Sequence, residues 1–121
     1  IYIHRLVKAR GYDAKIINGI PSFCAVSARL EDSLADRSEQ IHIIPSTYGV
    51  EDALNLSGTK VLMKAASKMP LVKEALKRSN TTCSMIENCG MPDEHIYHCI
   101  DEIPDQASYY SIIVVKEEPH D

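Results

Sequence analysis

The sequence predicts an α/β domain, with a mixed, largely parallel-then-antiparallel sheet of about five strands flanked by helices. Three observations lead there. Helical and strand-like segments alternate over the first two thirds of the chain, which calls for parallel strands joined by helical crossovers. In the last third, strand-like segments follow one another, which adds antiparallel strands at one side of the sheet. The chain has 121 residues, 45% of them apolar and 25% charged, enough for one hydrophobic core but not two. With one Phe and no Trp, that core must be built mainly from Ile, Leu, Val, Ala and Met.

The first element is a helix. Ile3, Leu6, Val7 and Arg10 recur at helical spacing, and Gly11 is placed for a left-handed C-cap. Ala14 to Ile17 then reads as a short strand ended by Asn18-Gly19. Pro21-Ser22 opens a second helix, Phe23 to Leu30, with Ser22 as its N-cap. The polar stretch Glu31 to Gln40 is a loop. Ile41 to Ile44 is a strand stopped by Pro45. Val50 to Leu56 suits a short helix, and Ser57-Gly58 a turn. Thr59 to Met63 has a continuous apolar centre, the pattern of a strand buried on both faces. Pro70 to Arg78 is a helix with Leu71, Val72, Ala75 and Leu76 on one face. Thr81 to Ile86, Glu94 to Cys99 and Ser108 to Lys116 complete the strands. No internal repeat or low-complexity segment appears.

The formal net charge is −4, and no basic stripe runs along the chain, so the composition speaks against a nucleic-acid partner. The acidic end, Lys116 to Asp121, reads as a solvated terminus. No apolar run approaches the roughly 20 residues that span a bilayer, so no membrane partner is expected. The amphipathic start, carrying His4, Arg5, Lys8 and Arg10, is not a secretory signal. The chain lacks an initiator Met and begins inside a helical pattern with no capping residue, which reads as a piece of a longer protein. Without a secretory signal, Cys24, Cys83, Cys89 and Cys99 read as reduced thiols in a cytoplasmic protein.

Cys24 lies on an apolar helix face and reads as a small core residue. Cys89, in a Gly-containing turn after a strand, is the more interesting thiol, yet a nucleophile also needs a positioned base and an oxyanion pocket. No metal site is expected. Cys89, His95, His98 and Cys99 form only a loose cluster, and His95 and His98 would point to opposite faces of a strand. None of the five glycines forms a dinucleotide or nucleotide-triphosphate loop. What remains are three turns: Asn18-Gly19-Ile20-Pro21-Ser22, Met63-Lys64-Ala65-Ala66 and Glu87-Asn88-Cys89-Gly90-Met91-Pro92. If their strands are parallel, all three fall at the carboxyl edge of the sheet, where open α/β sheets bind ligands.

Those turns also carry a resemblance. Gly19-Ile20-Pro21-Ser22-Phe23-Cys24-Ala25, Val61-Leu62-Met63-Lys64, Glu87-Asn88-Cys89-Gly90-Met91-Pro92 and Tyr109 to Val115 resemble, in order and in register, segments of the precorrin-2 C20-methyltransferases, a family of tetrapyrrole (class III) methylases. The resemblance implies a two-domain, usually homodimeric enzyme with S-adenosylmethionine folded into the cleft between its domains. This chain (residues 1–121) would be its C-terminal domain, with 1–11 as a lead-in helix. The reaction implied is methyl transfer to C20 of precorrin-2 or cobalt-factor II. The cofactor contacts carry over to Pro21, Ser22, Met63 and Cys89. Relatives usually have Thr where this chain has Pro21, so a hydroxyl contact is missing there, and Ser22 is placed to substitute in part. No catalytic side chain is assigned, because methyl transfer from a sulfonium mainly needs the methyl carbon and its acceptor held in line, close and dry. Lys60, Lys64 and Lys68 are candidates to meet the carboxylates of a tetrapyrrole.

Two other readings stay open. One is a non-catalytic α/β dimerisation or binding module with well-made turns. The other is a methylase of the same superfamily acting on another tetrapyrrole carbon or on diphthine, although the Cys-Gly-Met-Pro turn speaks against diphthine.

Overall fold

The computed structural model describes residues 1–45 and 49–117. Most of the acidic end read as a solvated terminus therefore lies outside the described residues. Among the described residues eleven elements follow one another: α1 (Tyr2–Ala9), α2 (Ser22–Leu30), β1 (Ile41–Pro45), α3 (Val50–Leu54), β2 (Thr59–Met63), a 3-10 turn (Ala66–Lys68), α4 (Met69–Arg78), β3 (Thr81–Glu87), β4 (His95–Tyr97), a second 3-10 turn (Ile100–Glu102) and β5 (Ser111–Glu117).

The strands form one sheet in the order β1-β2-β5-β3-β4. β1 and β2 are parallel, while β5 runs antiparallel to both β2 and β3, so β1, β2 and β3 all point the same way. The mixed, helix-flanked sheet is as the sequence predicts, but one detail differs. The antiparallel strands are not simply added at one side, because β5 inserts between β2 and β3. Its composition explains the place. Ser111 to Val115 are all buried, and a strand apolar on both faces is covered only at the centre of a sheet.

Register divides the core into two layers. Leu62 pairs with Ile113, which pairs with Met85, and this row faces α4 through Met69, Val72 and Leu76. Val61 pairs with Val114, and with Ile86 and Ile112 it forms the opposite row under Val26 of α2. Each fully buried aliphatic side chain contributes about 1.5–3 kcal/mol by leaving water. The sheet's two faces, each closed by a helix, are thus what holds the strand ends in place.

Several local expectations are corrected. Ala14 to Ile17 forms no strand. Ile16 and Ile17 are 61% and 88% exposed, and only the Ala14 carbonyl is engaged, accepting from His4 Nε2 at 3.2 Å. β-branched residues favour a strand only where a pleated, half-buried surface receives them, and none does here. Pro21, not Ser22, caps α2. Its φ of −61° and ψ of 148° turn the chain into the helix, and its carbonyl accepts from the Cys24 and Ala25 N–H groups. Cys24 is exposed rather than in the core, because Val26 and not Cys24 lies on the buried side of α2.

Gly58 is required where it stands. Its φ is +97°, and a Cβ there would lie 2.3 Å from the Gln40 carbonyl oxygen. That close approach sets β2 against the start of β1. The next residue but one, Lys60, is 1% exposed, and its Nζ lies 3.4 Å from Glu117 Oε1.

Candidate functional site

Because β1, β2 and β3 are parallel in direction, the ends of β2 and β3 and the start of β5 share one edge of the sheet. A cavity of about 210 Å³ opens there. Met63 and Lys64 come to it from the end of β2, and Ile86, Cys89 and Met91 from the end of β3. α2 supplies Ser22 and Val26 as a roof, and the residues leading into β5 (Tyr109, Tyr110, Ser111 and Ile112) close the remaining wall. Ser22, Met63 and Cys89, read from three distant parts of the sequence, thus line one cavity. Pro21 does not line it; it is exposed and acts by capping the helix that carries Ser22.

The lining is apolar, edged with hydroxyls, and Lys64 is its one charged side chain. Lys64 is exposed and adopts a left-handed φ of 60°, which turns the chain sharply out of β2. Asn88 does the same after β3, at φ 54°. Two of the four non-glycine residues with positive φ among the described residues therefore stand at this edge. Such conformations cost energy and tend to gather at working sites.

The other two candidate lysines are elsewhere. Lys60, at the start of β2, sits at the opposite edge of the sheet beside Glu117, and Lys68 lines a groove between α3 and α4. Strand direction separates Lys60 from Lys64, since the end of β2 and not its start reaches the cavity, and Lys68 is carried away by the 3-10 turn that leads into α4.

Glu94 ties α2 to the turn after β3. Its carboxylate accepts from Arg29 Nε of α2 at 3.0 and 3.2 Å and from the Gly90 N–H at 3.2 Å. The Gly90 N–H first, and then Arg29, hold its carboxyl below the usual glutamate range. Burial, and then the neighbouring Glu94 carboxylate, push the Cys89 thiol up. A thiol so placed stays protonated and is not a poised nucleophile. Cys83, a β3 residue whose side chain lies in the core layer beneath α4, is pushed up to about 11, by burial first and then by Cys99 and Asp101. Among the described residues, no three His, Cys, Asp or Glu side chains gather as a metal site. No helix among them is long and apolar enough to cross a membrane.

The family model for Tetrapyrrole (Corrin/Porphyrin) Methylases matches residues 1–102. The chain belongs to the tetrapyrrole methylases. Members of that family are methyltransferases that use S-adenosylmethionine. This tetrapyrrole methylase chain is 25% identical over 118 residues to the probable cobalt-precorrin-2 C(20)-methyltransferase of Methanocaldococcus jannaschii, covering 95% of the chain and 51% of that protein. Its fold matches a cobalt precorrin-4 methyltransferase with a TM-score of 0.74 at 17% identity, over 93% of the chain and 55% of the other. It also matches a uroporphyrin-III C-methyltransferase from Thermus thermophilus, solved in complex with S-adenosyl homocysteine, with a TM-score of 0.66 at 13% identity, over 93% of the chain and 57% of the other. The chain spans about half the length of these relatives.

Sequence reasoning missed two parts of the site. Tyr109, Tyr110 and Ser111 were visible only as the start of a strand, although they form a wall. Asn88 was passed over beside Cys89, yet its type is the one signal available: asparagine tolerates the left-handed turn that a strand end needs.

Proposed function

We propose that this chain is the C-terminal domain of an S-adenosylmethionine-dependent methyltransferase of corrin biosynthesis, acting on C20 of precorrin-2 or cobalt-factor II. The observation that carries the reading is the convergence of Ser22, Met63 and Cys89 on one cavity at the strand-end edge of a tetrapyrrole methylase fold. Likeness to the archaeal C(20)-methyltransferase along 95% of the chain favours C20 over other ring carbons.

The cavity fits part of the cofactor. An apolar slot with backbone edges at strand ends suits a flat heterocycle, whose polar rim can bond to main-chain groups. At about 210 Å³ it holds a portion of such a ligand, which accords with a second domain forming the other wall. Pro21 fixes the start of α2, and Ser22, with a hydroxyl, Met63, through its main chain, and Cys89 would hold the heterocycle. When bound, the cofactor supplies an electrophilic methyl group. The chain's own part is to orient it and keep water out, which is the main requirement of such a transfer. Lys64, exposed at the rim, is placed to meet a substrate carboxylate.

The reading includes a homodimeric, cytoplasmic full-length enzyme. Exposed apolar residues along α1 and the segment after it, among them Ile3, Ile17 and Ile20, support burial of this side against further protein. The experiment is to incubate the full-length protein with S-adenosylmethionine and either precorrin-2 or cobalt-factor II, and to locate the added methyl group by NMR. Methylation at C20 is expected. Methylation at another carbon would reassign the substrate, and binding without turnover on any tetrapyrrole would favour a non-catalytic module.

A further inference from the structure

We infer that Asn88 is a positioning residue that holds the two sides of the cavity at a fixed separation; this rests on the cavity being the cofactor site. The ladder between β3 and β5 ends at the pair Glu87 and Ser111. Beyond that pair the two chains part. One becomes the turn that presents Cys89 and Met91, the other the segment that presents Tyr109 and Tyr110. A network centred on Asn88 joins the parted chains.

The Asn88 N–H donates to the Tyr110 carbonyl at 2.8 Å, which extends the ladder by one bond. The Ser108 hydroxyl donates to Asn88 Oδ1 at 2.7 Å and accepts from the Tyr110 N–H at 3.1 Å. The Ser108 carbonyl accepts from the Ser111 hydroxyl at 2.7 Å. Tyr109 is therefore carried between two residues that are both tied to Asn88. On the other side, Asn88 Nδ2 donates to Asp93 Oδ2 at 3.0 Å, and the Asn88 carbonyl accepts from the Met91 N–H at 2.9 Å. That closes the turn holding Cys89.

The amide can face only one way. Asp93, as a carboxylate, accepts and cannot donate, so the NH₂ must point to it and the oxygen to Ser108. Asn88 is 6% exposed, so a lost partner is not replaced by bulk water. Its φ of 54° adds a constraint that asparagine meets and most residues do not. One buried residue thus serves both sides: its main chain extends the ladder and closes the turn, and its side chain bridges Asp93 in the turn to Ser108 in the opposite wall. Other residue types meet one or two of these demands.

The test uses full-length protein and calorimetric titration with S-adenosylhomocysteine. Asn88→Gly keeps the left-handed turn and removes only the side chain; Ser108→Ala removes the hydroxyl; Ser108→Thr restores it. Titrations are run well below each variant's melting temperature, so that every sample is folded. A purely structural residue would lower the melting temperature and leave the Kd of the folded protein unchanged. The inference predicts about tenfold weaker binding for Asn88→Gly and for Ser108→Ala, the scale of one buried hydrogen bond left unmade. It predicts no further loss in the double variant and recovery in Ser108→Thr. Should Asn88→Gly fail to fold, the two serine variants decide the matter. Binding by the wild type together with variants within twofold of it overturns the positioning role alone. A wild type that binds no S-adenosylhomocysteine overturns the cofactor reading and this inference with it.

Discussion

Replacing Cys89 by Phe should raise stability slightly and weaken ligand binding sharply. Cys89 is half-buried, and its side chain borders the cavity together with Val26, Met63 and Ile86. Its backbone has no left-handed φ, so a larger side chain meets no conformational penalty there. A phenyl ring growing from this position enters a space of about 210 Å³ that is already apolar. Full burial of such a side chain contributes about 1.5–3 kcal/mol, and Cys89 already buries part of that area, so a gain of about 1 kcal/mol is expected. The same ring takes the place of a ligand's heterocycle, whose burial is worth about 2–3 kcal/mol. That corresponds to a loss of about 30- to 150-fold in affinity for S-adenosylhomocysteine. Chemical denaturation gives the first number and calorimetric titration of the full-length protein the second. The opposite signs separate a binding cavity from a packing defect. A variant that unfolds would show that no usable space exists, and one that binds like the wild type would show that the ligand sits elsewhere.

Other outcomes follow from the same geometry. Gly58→Ala should cost about 2 kcal/mol or more in denaturant unfolding, since its Cβ would lie 2.3 Å from the Gln40 carbonyl in a backbone that disfavours side chains; a change near zero would contradict that packing. Under native conditions at mildly alkaline pH, alkylation followed by mass spectrometry should mark the exposed Cys24 and Cys99 first, and Cys83, pushed up to about 11, only on unfolding. S-adenosylhomocysteine should slow the alkylation of Cys89 and leave that of Cys24 unchanged. Glu94 has a folded-state pKa below its ordinary 4.5, so the folded form binds that proton more weakly than the unfolded form does. Its contribution is therefore present above pH 4.5 and lost as pH falls through the depressed value. Glu94→Gln should accordingly be less stable than the wild type near neutrality and converge with it in acid, as followed by pH-dependent unfolding.

The parts of this fold that were legible in the sequence are those where a local pattern and the tertiary environment agree. Thr59 to Met63 could be read to the residue, because a continuous apolar run between a turn glycine and a polar stretch matches a strand buried on both faces. Ala14 to Ile17 misled, because two isoleucines look alike whether or not a sheet receives them. The central place of β5 was not visible either. The hydrogen bonds that insert it between β2 and β3 join residues far apart in the chain, and no local signal records that order.

The site divides along the same line. Its turns carry residues of distinctive type, and family resemblance pointed to Pro21, Ser22, Met63 and Cys89, of which the last three line the cavity. Lys60 and Lys64 could not be sorted until strand direction showed which edge each occupies, and Lys68 falls in the groove between α3 and α4. The Asn88 network was hidden because the partners of its side chain are an ordinary aspartate and an ordinary serine, the latter twenty positions away.

The most direct test of the central claim is calorimetric titration of S-adenosylmethionine and S-adenosylhomocysteine into the full-length protein, with the 121-residue chain titrated alongside. Saturable binding of both ligands by the full-length protein, and much weaker binding by the isolated chain, is the predicted result. Absence of saturable binding by the full-length protein would contradict the claim that this strand-end cavity is one wall of a cofactor site.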